Sequence, residues 1–436
     1  MTGPGTPRKR SIVLILLVLV SVITFLDRLA IAVAGPRMQD ELGITPERWG
    51  WVLGAFVLTY GLFEIPTGAM GDRIGHRKVL TRIVAWWSAF TFLTGSVSGF
   101  LPLLITRLLF GVGEAGAYPN IAGVIARWFP LQERARAQGF IWGASRAGGA
   151  LAPLIVLPIQ DALGWRASFR ILGAIGLVWA IIWYWWYRDE PAAQPGITDA
   201  ELHEIGTRTG RLHGSAIPWL LLLRSRPLWL IMGMYSCYAW GSWFYFSWLH
   251  TYLMKGRGFS EKEMGFFSSL PFILGALANV GGGFLGDSLA RRYGLRTGRR
   301  LVGSVSLTAS ALLLIATALT PQKSMAVLFL TLGFGVMDLM LPTAWAICLD
   351  IAPKYAGAVT GAMNMSGQFG GFLCTVLFGY AVERSGSYHA PLFLIALMLL
   401  CSAFLFSRID PTRSLIAEEN REEPSLVDED EIVSNG

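Results

Sequence analysis

"GAMGDRIGHRK", residues 68–78, is a polar, basic stretch set between two long apolar runs. Its counterpart further along is "GGFLGDSLARRYG", residues 282–294. Both place a glycine four residues ahead of an aspartate (Gly68 and Asp72; Gly283 and Asp287), and both follow it with a basic cluster, which in the first copy holds Arg73 and Arg77. Glycine lets helices approach closely, and an aspartate at a helix end meets a neighbouring helix N-terminus or an arginine. One copy alone is a weak signal. Two copies at matching points say that the chain is a duplicated helical unit.

Outward from these loops the sequence resolves into apolar spans at about 11–34, 48–70, 79–99, 101–126, 136–159, 166–187, 228–254, 263–286, 301–320, 324–351, 357–382 and 388–407. Each is long enough to cross a hydrocarbon core of about 30 Å at about 1.5 Å per residue. Composition agrees, with 53% hydrophobic and 15% charged residues, against about 25% charged in soluble domains. A formal charge of +7 could point to nucleic acid. The basic residues, however, collect in alternate short loops, such as Arg73, Arg77 and Lys78 or Arg291, Arg292, Arg296, Arg299 and Arg300. That pattern is topology control, and it places both termini in the cytoplasm. Cys237, Cys348, Cys374 and Cys401 lie in apolar spans without CxxC spacing and read as small core residues. "RKR" (8–10) before an apolar run imitates a signal peptide, but the run is too long and Asp27–Arg28 interrupts it, so no cleavage is expected.

The expected fold is therefore all-α: a polytopic membrane protein with twelve transmembrane helices in two pseudo-symmetric six-helix bundles around a central cavity. Its parts are a cytoplasmic N-terminus (1–10), an N-terminal bundle (11–187), a cytoplasmic linker (188–227), a C-terminal bundle (228–407) and an acidic, disordered cytoplasmic tail (408–436). Within the linker, Thr198 with Glu201 three residues on predicts a capping box opening a short helix.

"SVITFLDRLAIAVAGP" (21–36) then poses the chemical question, because Asp27 and Arg28 fall inside the first span. An intramembrane charge costs roughly 2.5–3.5 kcal/mol on insertion scales and marks a functional path. Span one runs outward, placing this pair about 10 Å below the outer face. Span four runs inward, with Arg107, Gly111, Glu114 and Tyr118 at i, i+4, i+7, i+11 spacing on one face. Spans one and four thus present carboxylates and guanidiniums to a shared space. Arg28 suits a substrate carboxylate, since a guanidinium stays charged and bonds bidentately; a static ion pair is the competing reading. Asp27 and Glu114 are the proton candidates, and Arg107 is read as a partner holding one of these acids. No H-E-x-x-H, G-x-S-x-G or G-x-x-x-x-G-K-[ST] motif is present, so no enzyme chemistry is expected.

At these loops the chain resembles the major facilitator superfamily, over roughly residues 10–407. Through "FLDRLAIAVAGP" (25–36), "RLLFGVGEAGAYP" (107–119), "GWRASFRILGAIGLVWAIIW" (164–183), "DEPAAQPGITDAELHEI" (189–205) and "PTAWAICLDIAPKYAGAVTGAMNMSGQFGG" (342–371) it is similar to the anion:cation symporter family. The resemblance implies that spans one and four line the central cavity and that Asp27 and Glu114 couple protons. It implies that the loops around Gly68, Asp72, Arg73, Arg77, Gly283 and Asp287 form the conformational gate, and that Tyr60 contacts substrate. Glu64 departs from the family's usual glutamine and Arg146 is also unusual, so the two are expected to pair with each other. Tyr118, Trp345, Asn364 and Gln368 are expected to complete the substrate site, with Asp338 as a second titrating group. The implied function is proton-coupled symport of a small organic anion, a sugar acid or related carboxylate, by alternating access across a bacterial inner membrane. An organophosphate or other anion exchanger is the alternative, followed by a proton-coupled drug exporter or a transporter-like sensor. The expected partners are substrate, protons and lipid, with no nucleic acid, no cofactor and no metal, and the chain is expected to act as a monomer.

Overall fold

The computed structural model describes residues 8–205, 223–351 and 356–412, and the described residues are helices joined by short turns, without a strand. In the first half run α1 (Lys9–Leu42), α2 (Pro46–Ile74), α3 (His76–Thr94), α4 (Phe100–Glu114), α5 (Ala117–Trp128), α6 (Leu131–Leu163) and α7 (Trp165–Trp186). A short linker helix, α8 (Asp199–Ile205), precedes α9 (Arg226–Ser247), α10 (Glu261–Tyr293), α11 (Leu295–Leu319), α12 (Lys323–Asp338), α13 (Leu341–Ile351), α14 (Ala356–Ser385) and α15 (Ala390–Arg408). Collinear pairs α4–α5 and α12–α13 each make one crossing, which gives twelve in all. Nine crossings are long and apolar enough by composition alone among the described residues; α2, α3 and α9 complete the set by their packing.

Local chemistry sets the ends. Thr45 caps α2 through the Arg48 N–H at 3.4 Å, with Pro46 in the first turn, where its missing N–H costs nothing. Ser260 and Glu263 close a full capping box on α10. Both signature loops turn on a glycine with positive φ, Gly75 at 94° and Gly294 at 81°, a region that a side chain would strain.

The two halves pack alike. α1 lies on α6 as α9 lies on α14, α3 on α7 as α11 on α15, and α2 on α4 as α10 on α12. The same pseudo-twofold relates the two seams between halves, α2 against α14 and α10 against α6. Gly68 of α2 abuts Pro119 of α5, and Gly283 of α10 faces Pro342 of α13 in the matching place. Large side chains such as Leu62, Trp185, Leu277, Phe284 and Leu319 stand exposed on the outside of the bundle. In a chain of this composition that surface is the one lipid covers.

Three spans depart from the expected continuous helices. Span four breaks between Glu114 and Ala117, span ten between Asp338 and Leu341, and span seven ends in a short turn (Leu249–Thr251) and a π-helical turn (Tyr252–Gly256). The linker also differs from expectation. Thr198 accepts from the Glu201 N–H at 3.2 Å, but the Glu201 carboxylate turns away to accept from the N–H groups of Lys9 (3.1 Å) and Arg10 (2.8 Å). These are orphan donors at the start of α1, so the linker helix caps α1. Glu204 reinforces the contact through Arg8 (3.1 Å) and Arg10 (2.6 Å). The greater part of the expected acidic tail, 413–436, and linker residues 206–222 lie outside the described residues.

Candidate functional site

The charged residues of α1 face different neighbours because successive positions on a helix point about 100° apart. Asp27 is buried and accepts from the Trp87 indole N–H of α3 at 3.1 Å, while its second oxygen has no hydrogen-bond partner. Arg28 reaches Glu114 at the end of α4, with Nε at 3.1 Å and Nη2 at 2.5 Å from the same oxygen, Oε1. Glu114 is fully buried and its Oε2 is unpartnered, whereas the Arg28 side chain keeps 12% of its surface open. The rings of Phe25, Phe56 and Tyr60 lie 4.8–5.2 Å from this guanidinium. Among the described residues Arg107 makes no direct ion pair, although Glu114 and Asp27, the acids expected as its partners, lie within electrostatic range of it. It lies instead on Phe56 and Phe110, at 5.0 and 4.4 Å, with its Nε unpartnered.

A second ion pair spans the halves. Arg146 of α6 contacts Asp338 at the end of α12 at 3.1 Å, with Asp338 fully buried and Arg146 13% open. Tyr238 of α9 and Asn279 of α10 also donate to Asp338, at 3.2 and 3.4 Å. The expected Glu64–Arg146 pair is therefore not formed. Glu64 instead accepts from Asn364 of α14 at 2.9 Å, across the α2–α14 seam. The reason is reach: Arg146 sits on the α6 side, next to α10, and Glu64 on the opposite seam. Gln368, one turn beyond Asn364, packs against Gly61, and its Oε1 has no partner.

Aromatic groups close the space between. Tyr118 donates to or accepts from Ser145 at 2.7 Å and stacks on Trp142 with centroids 4.9 Å apart. Trp142 in turn meets Trp345 of the other half at 6.4 Å. The structure thus brings Arg28, Tyr60, Glu114 and Tyr118 together in the first half and turns Asp27 of α1 towards Trp87 of α3; Arg146 meets Asp338 at one contact between the halves, and Glu64 meets Asn364 at the other. At the face that holds the described termini, Asp287 lies 3.7 Å from Arg299, which also meets Asp350 at 3.4 Å. Arg77 is pinned through its N–H to Asp189 (3.0 Å) and through Nε to the Tyr184 carbonyl (2.8 Å). Arg73 is exposed, and the side chain of Asp72 lies outside the described residues. On the opposite face Arg37 of α1 pairs with Glu261 of α10 and Asp161 of α6, and Lys255 with Asp40 at 2.6 Å.

Tyr238, Asn279, Trp142 and Ser145 were not anticipated, nor was the equivalence of the two buried acids. A signal for the last was available: "FGVGE" (110–114) and "FGVMD" (334–338) are a second internal repeat, and each ends at the break of its span. Its glycines sit where no side chain fits. A Cβ on Gly111 would stand 2.2 Å from Thr59 of α2, and one on Gly335 would stand 2.5 Å from Leu274 of α10.

The sequence profile of the Major Facilitator Superfamily matches residues 17–375. A probable sulfoacetate transporter of Cupriavidus necator is 36% identical over 408 residues, covering 93% of this chain and 94% of its own. The hexuronate transporter of Bacillus subtilis is 29% identical, covering 88% and 90%. The D-galactonate transporter of Escherichia coli O6:H1 is 28% identical, covering 91% and 94%. Among solved structures, a bacterial homologue of the human lysosomal transporter Spinster, inward-facing and occupied, superposes with a TM-score of 0.77 at 19% identity, covering 93% of this chain and 97% of its own.

Proposed function

Since the chain belongs to the Major Facilitator Superfamily, we propose that it is a proton-coupled symporter of a small organic anion, a sugar acid or related carboxylate, working by alternating access. The observation that carries this reading is the Arg28–Glu114 pair, a fully buried acid holding the guanidinium of the less buried Arg28 side chain through a single oxygen. A substrate carboxylate and the Glu114 carboxylate compete for the same fork of donors. Protonating Glu114 removes its claim on Arg28 and leaves the guanidinium for a bidentate bond to the anion. Anion binding then favours the protonated acid, and by linkage the protonated acid favours the anion. Asp27, with one oxygen unpartnered, is a second proton site beside it.

Tyr60, Tyr118, Trp345, Asn364 and Gln368 supply hydroxyl, amide and aromatic contacts to the body of the substrate. The pairs formed by Arg37 and Lys255 hold the far ends of the halves together in this state, and their release opens that side. The basic loops support an arrangement in a bacterial inner membrane with both termini on the cytoplasmic side. One chain holds both halves of this site, so it works as a monomer. The relatives named for sulfoacetate, hexuronate and galactonate support an acidic substrate.

The test is uptake of radiolabelled galactonate and sulfoacetate into proteoliposomes with an imposed pH gradient. Accumulation above equilibrium that a protonophore abolishes is expected. Uptake that stops at equilibrium whatever the gradient would reject symport.

A further inference from the structure

We propose that Arg146 is a second anion-binding residue, and that the carried substrate is a small organic dianion with a carboxylate or sulfonate at each end. This rests on the anion-carrier reading above and narrows it.

The two ion pairs of the site are built to one plan. Glu114 and Asp338 occupy the same position of the internal repeat, each the last residue before its span breaks. Each is fully buried and each holds an arginine that keeps some surface open, Arg28 at 12% and Arg146 at 13%. Each guanidinium rests on aromatic rings: Arg28 on Phe25, Phe56 and Tyr60, Arg146 on Phe246 and Phe334 at 5.7 and 5.8 Å. The two cages touch, since Phe25 meets Phe246 edge to face at 6.0 Å. Tyr118, bonded to Ser145 next to Arg146, lies within electrostatic range of both guanidiniums. The two arginines, on the packed helices α1 and α6, thus adjoin through one aromatic wall, and on this proposal the space they flank is a single compartment.

Pseudo-symmetry sharpens the point. The N-terminal acid takes its arginine from α1 of its own half. The C-terminal acid is already held within its own half by Tyr238 and Asn279. Its countercharge alone, Arg146, comes across from α6 of the other half. It adds a guanidinium to the compartment, with Asp338 as the counterion that the second acidic end of a substrate would replace. A monoanion takes only Arg28 and leaves Arg146 on Asp338; a dianion engages both.

The test compares matched probes that differ by one charge: sulfoacetate against 2-sulfoacetamide, and galactarate against galactonate. Binding is measured on purified wild-type protein and on Arg146→Gln/Asp338→Asn, in which neither charge is left alone. A charge-assisted bond implies roughly ten- to hundredfold tighter binding of the dianion by the wild type, in whichever pair fits the cavity. The double variant is expected to bring that ratio to about one. If it does not fold, Arg146→Lys serves, since a single ammonium keeps the charge without the fork, and the ratio is expected to fall while staying above one. A wild type that binds both members of each pair equally, or a variant that keeps the full preference, overturns the proposal. Wild-type protein that binds none of the four probes overturns the anion-carrier reading itself, and this proposal with it.

Discussion

Replacing Arg28 by lysine isolates fork geometry from charge. Arg28 places two N–H groups on one oxygen of Glu114 and lies against three aromatic rings. Lysine retains the positive charge and one bond to Glu114, so the buried acid is not stranded and the fold should survive. It cannot present two parallel donors to a substrate carboxylate. One lost charge-assisted hydrogen bond is worth about 1.5–3 kcal/mol, a loss of roughly 10- to 150-fold in affinity. The thinner stacking on the rings adds about 0.5–1 kcal/mol. Equilibrium binding of labelled galactonate or sulfoacetate to purified protein measures the first quantity, and the melting temperature without ligand reports the fold. The expected result is a dissociation constant raised at least tenfold with a melting temperature close to wild type. Wild-type affinity in Arg28→Lys would remove Arg28 from the substrate site.

Three other outcomes follow from the contacts. Because Arg146 pairs with Asp338 rather than Glu64, a stability cycle on Glu64→Gln and Arg146→Gln should be additive within about 0.5 kcal/mol, while Arg146→Gln and Asp338→Asn should be strongly coupled, since removing one partner of a buried pair costs about 3–5 kcal/mol; thermal unfolding of the single and double variants separates the two. Arg37→Gln removes the contacts to Glu261 and Asp161 and should expose the seam beside it, so that a cysteine at buried Gln39 reacts faster with a membrane-impermeant maleimide; an unchanged rate would show that these pairs do not hold that face shut. Glu201→Ala strips two backbone N–H groups of α1 of their acceptor and should cost about 1 kcal/mol or more of stability, leaving substrate affinity unchanged; an equal loss of affinity would tie the linker helix to the site instead.

The helical class and the duplication were legible because both are written in local pattern: apolar length, and the repeated loops around Asp72 and Asp287. The face of span four was legible too, since Arg107 and Glu114 share a helix. What spacing along one helix does not contain is which side chain from another helix arrives there. Arg28 reaches Glu114 from α1 and leaves Arg107 on phenylalanine rings. The partner of Arg146 lies in the other half of the chain, at a position set by the depth and tilt of α12. The expected Glu64–Arg146 pair rested on their unusual residue types alone, and the two seams between halves keep them apart. The "FGVGE" and "FGVMD" repeat was visible in the letters, but its meaning emerges only where both spans break just after the acid.

The central claim is that Glu114 exchanges its hold on Arg28 for a proton as substrate loads. Glu114→Gln keeps the size of the side chain and imitates the protonated acid. Exchange of internal for external substrate needs only the loaded carrier to change face, whereas net uphill uptake needs the empty carrier to return after releasing the proton. The decisive measurement is labelled-substrate flux in proteoliposomes holding this variant, with counterflow and pH-driven accumulation measured on the same vesicles. Retained counterflow with accumulation abolished is the predicted result; robust proton-driven accumulation would contradict it and move the coupling to Asp27 or Asp338.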